Sequence, residues 1–327
     1  MPSTGPEPAL GQSARPTIRV ACGVLQRPDG RVLIAQRPHG KLAAGKWEFP
    51  GGKLEAGESA SQALVRELYE ELGIAVQAAT PLIRFRYDYS DRRVDLDTLR
   101  VTAWRGEPQA REQQQFDWRL PQNLADLDVL PTVAPIAAAL QLPSHYVFTP
   151  PVADAAALLA ELHRLPVGAL LRLRMPQLGD AAYEQQARQL LPACHARGLR
   201  LMLDRDPQQV DRLGADGWHA SDARLRALRG RPLPAGCWFA ASLHDAASVA
   251  AARRCGADFA VLGPVQSTPS HPESRPLGWD AFAALVQTAA MPVYALGGVG
   301  PAQLSAAQQH GAQGTAGIRA YWSAALS

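Results

Sequence analysis

Residues 52–74 read GKLEAGESASQALVRELYEELGI, and this stretch decides how the N-terminal part of the chain folds. Ser59 is a typical N-cap residue, and Gly73 is typical of the position at which a helix ends. The apolar residues between them recur at helical spacing. The stretch therefore predicts a helix that Ser59 opens and Gly73 closes, with a glycine-rich loop before it at residues 49–52.

Three glutamates of this predicted helix share one face. Glu67, Glu70 and Glu71 lie at i, i+3 and i+4, which puts their Cβ atoms about 5 to 6 Å apart. Carboxylates so close repel one another unless a cation lies among them, and their oxygens are the ligands that Mg²⁺ and Mn²⁺ prefer. A solvated acidic face balanced in part by Arg66 is the alternative. The two glycines ahead of the helix let a ligand approach the backbone closely, which favours a metal site.

A metal site of this composition suits hydrolysis of a pyrophosphate bond. A pyrophosphate carries several negative charges, so attack by water on phosphorus is slow until metal ions neutralise its oxygens and lower the pKa of the water. The sequence leaves open which glutamate acts as the base and how many metal ions bind.

The residues around this stretch predict a domain that mixes strands and helices. Its expected elements are strands at 18–25, 31–37, 83–89 and 95–105, a turn at 28–30, and a second helix at 132–140.

The second half of the chain has a different order, in which short apolar strands alternate with helical stretches. Eight strands are predicted, at residues 146–149, 169–173, 199–203, 217–219, 238–242, 259–262, 293–295 and 314–318. This alternation is typical of βαβ units and predicts a compact (β/α)8 barrel. An open doubly wound sheet is the alternative.

Length and composition are those of a globular protein with two domains. The chain has 327 residues, of which 47% are hydrophobic and 19% charged, and its net charge is +3. We predict a disordered tail over 1–16 and domains over 17–142 and 143–327. The small charge gives no warrant for a nucleic-acid polymer or a membrane as partner, and a cytoplasmic enzyme is expected. The four separated cysteines predict reduced thiols.

The first domain resembles the Nudix family, because residues 52–74 match its signature GX5EX7REUXEEXGU at every position. The resemblance implies an α/β/α sandwich with a mixed sheet and a divalent-metal-dependent hydrolase. It implies that Arg66 holds the glutamates and Glu58 assists. The metal ligands implied are Glu67, Glu70, Glu71, the Gly51 carbonyl and Glu112. The implied contacts with substrate are Arg37, Gly52 and Lys53, although an ordinary exposed charge is the alternative for Arg37 and Glu112.

Residues 45–53, GKWEFPGGK, are similar to the stretch that leads into the signature of the MutT-type 8-oxo-dGTP diphosphatases. This resemblance implies a nucleoside triphosphate pyrophosphohydrolase that releases a nucleoside monophosphate and pyrophosphate. One position departs from the subfamily: Val133 stands where an asparagine would read the oxidised guanine. Because valine cannot make those hydrogen bonds, the preference for 8-oxo-dGTP over dGTP stays open, with Asn123 as a possible replacement.

Residues 146–323 resemble the thiamine phosphate synthase and TenI family. The match is strongest at 257–265, in the sequence ADFAVLGPV, and at 292–298, in PVYALGG. Glycines after late barrel strands let backbone N–H groups hold a phosphate. The phosphate-binding residues implied are Gly297, Gly298, Gly317 and Ile318. Tight strand-to-helix turns are the alternative reason for these glycines.

The barrel departs from the synthases where they bind pyrophosphate and Mg²⁺. Their Gln-Leu-Arg-x-Lys stretch corresponds to residues 172–176, RLRMP, and their Asn-Asp pair to Asp204-Arg205. Pro176 stands where the synthases have the lysine, and Arg205 stands where they have an acidic residue. Both changes argue against synthase activity. Pro264 stands where the tautomerase branch has a histidine. The candidate histidines near strand ends are His219, His244 and His271, for each of which a structural or an exposed residue is the alternative.

Two further hypotheses concern the presence of these two domains in one chain. In one, the first domain cleaves thiamine-type pyrophosphates and the barrel handles thiazole phosphate. In the other, the barrel binds a phosphorylated ligand and regulates the hydrolase. The oligomeric state is not predicted by any feature of the sequence.

Overall fold

A computed structural model describes residues 15–151, 155–268 and 275–324. Most of the predicted tail therefore lies outside the described residues. Its last two residues are held against the first domain: Arg15 donates to the Tyr89 carbonyl at 2.9 Å, and the Pro16 carbonyl accepts from the Arg93 N–H at 2.9 Å.

The first domain contains two helices and seven strands in the described residues. In chain order they are β1 (Thr17–Leu25), β2 (Val32–Gln36), β3 (Trp47–Glu48), β4 (Gly51–Lys53), α1 (Ala60–Leu72), β5 (Ala75–Asp88), β6 (Arg93–Arg105), β7 (Phe116–Arg119) and α2 (Val133–Gln141). One sheet has the order β4-β1-β6-β5, with β1 and β6 parallel and the other pairs antiparallel. A second, antiparallel sheet has the order β3-β2-β7.

The two helices pack on opposite faces of the strands. Leu64, Leu68 and Leu72 of α1 are fully buried in one apolar cluster, whereas Val133 and Ile136 of α2 belong to another. This arrangement confirms the α/β/α sandwich with a mixed sheet.

Helix α1 begins and ends where its sequence predicts. Ser59 forms a capping box with Gln62, and Gly73 is left-handed with φ of 71°. The strand predicted at 83–89 was placed too late, since β5 begins at Ala75. Three register shifts interrupt its alanine-rich N-terminal half and hide the alternating pattern. The short strands β3, β4 and β7 were missed, since two to four residues carry no periodicity.

The second half closes into a barrel of eight parallel strands, which excludes the open sheet. The strands are β8 (His145–Phe148), β9 (Leu170–Arg172), β10 (Arg200–Leu203), β11 (Gly217–Ala220), β12 (Trp238–Leu243), β13 (Phe259–Leu262), β14 (Val293–Leu296) and β15 (Gly314–Gly317). The described helices outside them are α3 (Ala155–Glu161), α4 (Asp180–Ala196), α5 (Gln208–Leu213), α6 (Asp222–Ala227), α7 (Ala246–Cys255), α8 (Gly278–Ala289) and α9 (Leu304–Gln309).

The barrel interior is filled with side chains. Tyr146, Phe259 and Tyr294 are fully buried and contact one another through their rings. His219 lies among them, with Nδ1 2.8 Å from the Tyr146 hydroxyl and Nε2 2.8 Å from Ser242 Oγ. Burial keeps the pKa of His219 well below its ordinary value, so this histidine is a neutral structural residue.

The four cysteines form no disulfide, as predicted. Among the described residues, no helix combines the length and apolar character needed to cross a membrane.

Candidate active site

The glycine loop brings the backbone against the glutamates of α1. A side chain at Gly51, whose φ is 141°, would overlap the Ala21 carbonyl oxygen. A side chain at Gly52 would overlap the Glu67 carboxylate. The Gly51 N–H donates to Glu71 Oε2 at 3.0 Å. Gly51 is therefore required by its backbone contacts, whereas a larger residue at Gly52 would displace the Glu67 carboxylate.

Arg66 connects most of the predicted carboxylates. Its guanidinium donates twice to Glu58 at 2.9 Å, to Glu67 at 2.9 Å and to Glu70 at 3.3 Å, and it reaches the Lys53 carbonyl at 3.0 Å. The hydrogen bonds from Arg66 and from the Glu55 N–H lower the pKa of Glu58 to about 2. Arg66 thus contacts three of the side chains that the resemblance to the Nudix family assigns to the site.

Glu71 is the deeply placed member of the cluster. Burial, followed by the charges of Glu112, Glu67 and Glu48, raises its pKa to about 8, although the Gly51 N–H opposes this rise. The carboxyl of Glu48 also has a raised pKa, first because of burial. The carboxylates of Glu48, Glu67 and Glu112 thus lie around that of Glu71, and each of them repels its charge.

Two cations lie at the edge of this cluster. Lys41 Nζ is 2.5 Å from Glu112 Oε2. Arg37 forms an ion pair with Glu48 and donates to the Leu42 carbonyl at 2.7 Å. The sequence did not identify Lys41 and Glu48 as site residues. Lys41 lies in a loop and Glu48 in a strand of two residues, and neither position has a pattern that indicates function.

The donor set fits a divalent cation. Within the ranges described above, no three histidine, cysteine, aspartate or glutamate side chains converge on one ligating point. The reason is that Glu67 and Glu70 turn to Arg66 and Glu71 turns to Gly51. The hard oxygen ligands and their mutual repulsion are nevertheless what Mg²⁺ or Mn²⁺ would relieve.

An aromatic surface lies next to Glu48. The hydroxyl of Tyr89 hydrogen-bonds with Thr132, and its ring is 4.8 Å from that of Tyr87 and 4.9 Å from the Arg92 guanidinium carbon. Val133, at the start of α2, is 2% exposed and packs in the apolar cluster. Asn123 is exposed in a 3-10 turn, which fits a turn residue.

The predicted phosphate-binding glycines of the barrel lie together. Gly297 and Gly298 follow β14, and Gly317 and Ile318 stand at the end of β15, in register through the pair Leu296–Ala316. Both glycines after β14 have positive φ, 90° and 67°. A side chain at either would collide with the loop at 264–267. Packing alone therefore explains these two glycines.

The positions that depart from the synthases pair with each other. Arg172, 8% exposed, bonds to Asp204 at 3.0 Å and lies over the Phe148 ring. Arg205 donates to Asp180 at 2.7 Å. The charges of Arg172, Asp204 and Arg205 are thus neutralised within the chain.

Of the other two candidate histidines, the structure describes one. His244 is exposed, and its Nδ1 is 2.9 Å from the Gly263 carbonyl. His271 lies outside the described residues.

The raised pKa of Glu71 predicts how stability changes with pH. Its folded pKa of about 8 exceeds the ordinary 4.5, so the folded state keeps a proton that the unfolded state loses. The metal-free protein should lose stability as pH rises from about 4.5 to 8. Glu71→Gln should remove this loss and stabilise the metal-free protein at pH 8.5 by on the order of 3 kcal/mol.

Thermal unfolding in a chelator at pH 5 and pH 8.5 would measure this effect. Glu70→Gln is the matched control, because the Glu70 side chain is 56% exposed. An unchanged pH dependence in Glu71→Gln would contradict the prediction.

Comparison with known proteins agrees with both halves of the structure. Residues 145–321, more than half of the chain, match the family model of thiamine monophosphate synthase, and residues 21–141 match that of the NUDIX domain. The 8-oxo-dGTP diphosphatase of Escherichia coli (strain K12) is 36% identical over 38% of this chain and 96% of its own length. The CTP pyrophosphohydrolase of the same organism is 38% identical over 37% of this chain and 90% of its own length.

A solved structure from a study of MutT from Aliivibrio salmonicida and Vibrio cholerae is 37% identical, covers 38% of this chain and 96% of that chain, and has a TM-score of 0.34. Both predicted resemblances are confirmed. The chain belongs to the Nudix hydrolases, which act on phosphoric anhydrides, through its N-terminal part, and to the thiamine monophosphate synthase family through its barrel.

Proposed function

We propose that residues 17–142 form a Mg²⁺-dependent nucleoside triphosphate pyrophosphohydrolase, with 8-oxo-dGTP and dGTP as its first candidate substrates. Its products are a nucleoside monophosphate and pyrophosphate. Residues 143–327 form the fused barrel. An enzyme that removes damaged nucleotides from the pool works in the cytoplasm, the location we propose.

The observation that carries the proposal is the carboxylate cluster held by Arg66 against the Gly51-Gly52 backbone. Mg²⁺ or Mn²⁺ would supply charge neutralisation of the phosphates and a lowered pKa for the attacking water. The residues that would hold it are Glu67, Glu70, Glu71, Glu112 and the Gly51 carbonyl.

The remaining roles belong to the chain's own side chains. Arg66 and Glu58 orient the glutamates through their paired hydrogen bonds. We assign contacts with the substrate phosphates to Arg37, Lys53 and the Gly52 backbone. Two of these residues carry positive charge at the edge of an acidic cluster, where a polyphosphate needs a counter-charge.

Release of pyrophosphate from nucleotides, and of orthophosphate from thiamine diphosphate, tests the proposal. The panel contains 8-oxo-dGTP, dGTP, CTP and thiamine diphosphate, each with Mg²⁺. We expect a nucleotide to be turned over with a monophosphate as second product. No turnover of any nucleotide would reject the proposal, and faster cleavage of thiamine diphosphate would favour the thiamine-pathway hypothesis.

For the barrel, the Arg172–Asp204 pair supports loss of synthase activity, because it neutralises the positions that would bind pyrophosphate. A barrel that still binds a phosphorylated ligand would do so at Gly297, Gly298, Gly317 and Ile318.

Val133 offers a test of base selection. We predict that Val133→Asn raises the ratio of kcat/KM for 8-oxo-dGTP to that for dGTP about tenfold, because an amide can read the oxidised base and valine cannot. The same change buries an amide at a position that is 2% exposed, which costs about 1 to 2 kcal/mol of stability. Val133→Thr, which adds a hydroxyl without an amide, is the control. An unchanged ratio in the asparagine variant would count against the assigned position.

A further inference from the structure

The C-terminal end of α2 is held by the floor of the barrel, the ring formed by the N-terminal ends of its strands. The last carbonyls of a helix have no partner within the helix. Here the Gln313 amide donates to the carbonyls of Ala139 and Leu142, both at 3.0 Å. The Arg200 guanidinium donates to the Gln141 carbonyl at 2.8 Å. A cation at this end also suits the helix dipole.

The residues that follow α2 are fixed in the same floor. The Pro143 carbonyl accepts from the Tyr294 hydroxyl at 2.6 Å, and the Ser144 carbonyl accepts from the Thr315 N–H at 3.0 Å. The side chain of Leu142 is 6% exposed and packs among the aromatic residues of the barrel interior. Residues 142–144, which join the two domains, are therefore firmly attached to the barrel.

The other end of α2 borders the candidate active site. Thr132, which precedes the helix, hydrogen-bonds with Tyr89. The segment before it pairs with β3: the Trp47 N–H donates to the Asp128 carbonyl and the Leu130 N–H donates to the Trp47 carbonyl, both at 2.9 Å. Strand β3 runs directly into the glycine loop that contacts the glutamates of α1.

We infer that the barrel floor is a clamp for α2 that sets the position of the nucleotide site, with Arg200 and Gln313 as positioning residues. Nine helical residues span only about 13 Å, so a shift at one end of α2 is transmitted to the other. From there the paired backbone of residues 128–130 and β3 leads to the glycine loop. This role requires no chemistry of the barrel itself.

Hydrogen exchange of the full-length, metal-free protein tests the clamp. Arg200→Met and Gln313→Leu should each speed exchange about tenfold in α2 and in residues 47–52. Arg212→Met is the matched control, since Arg212 pairs with Glu184 on the outer helices of the barrel. Should Arg200→Met fail to fold, Gln313→Leu makes the same test. Exchange at the control level in both segments would overturn the inference.

Kinetics supply a second readout, and this arm alone rests on the proposed function. If Arg200→Met displaces the nucleotide site, KM for the nucleotide should rise about fivefold, and kcat should stay within twofold of the wild-type value. Faster exchange confined to α2, with residues 47–52 and KM unchanged, would overturn the inference because the clamp would not reach the site. If the wild-type protein hydrolyses no nucleotide, the proposed function fails, while the exchange of residues 47–52 still decides the inference.

Discussion

Glu67→Gln is expected to lower kcat for nucleotide hydrolysis about a thousandfold, which corresponds to about 4 kcal/mol of transition-state stabilisation. The Glu67 carboxylate lies against Gly52 and accepts from Arg66 at 2.9 Å, and its side chain is only 16% exposed. An amide of the same shape keeps the packing and removes the negative charge. The substitution should therefore separate the charge of Glu67 from its size.

Two measurements would check this expectation. Steady-state kinetics give kcat, and the binding of Mn²⁺ to the protein without nucleotide gives the metal affinity, which should fall at least tenfold. Glu55→Gln is the matched control: Glu55 is 4.0 Å from Arg66 but its side chain is 70% exposed and outside the cluster. Wild-type kcat in Glu67→Gln, or an equal loss in Glu55→Gln, would show that this carboxylate does not hold the metal.

Helix α1 could be predicted because its signals are local. Ser59 and Gly73 mark its ends, and the spacing of three glutamates fixes which face they share. The eight barrel strands were also predictable, since each is a short apolar run between polar helical stretches. Such patterns need no knowledge of the tertiary structure.

The contacts between distant parts of the chain could not be predicted in the same way. Lys41 and Glu112 lie 71 positions apart, and the pairing of Gln313 with Ala139 spans 174. No periodicity records such partners. Nor does the sequence reveal that Glu71 is half-buried whereas Glu70 is exposed, because this difference depends on the loop next to Glu71.

Some positions of the barrel differ from those of the synthases, and the sequence alone does not give the structural reason for these differences. Arg172 and Asp204 lie in the two stretches whose sequences depart from those of the synthases. The structure shows that they are partners across adjacent strands β9 and β10, so the two changes compensate each other. A single substituted position would have left a charge buried, which is far more costly than a buried pair.

Arg66→Met is expected to lower kcat/KM about a hundredfold and the melting temperature by roughly 5 °C. The guanidinium bonds to Glu58, Glu67 and Glu70, and its loss leaves those carboxylates to repel one another. Both effects should be partly reversed by high Mg²⁺, because a divalent cation can replace the missing positive charge among the carboxylates.

The pH dependence of stability distinguishes this prediction from simple loss of packing. Glu58 has a pKa of about 2 in the folded state, below its ordinary 4.5, so its contribution is present above pH 4.5 and lost as pH falls towards 2. The stability difference between wild type and Arg66→Met should therefore shrink over that window. Arg119→Met, which breaks an ion pair on β7, is the control. A difference that stays constant down to pH 2, together with wild-type activity, would show that Arg66 does not organise the glutamates.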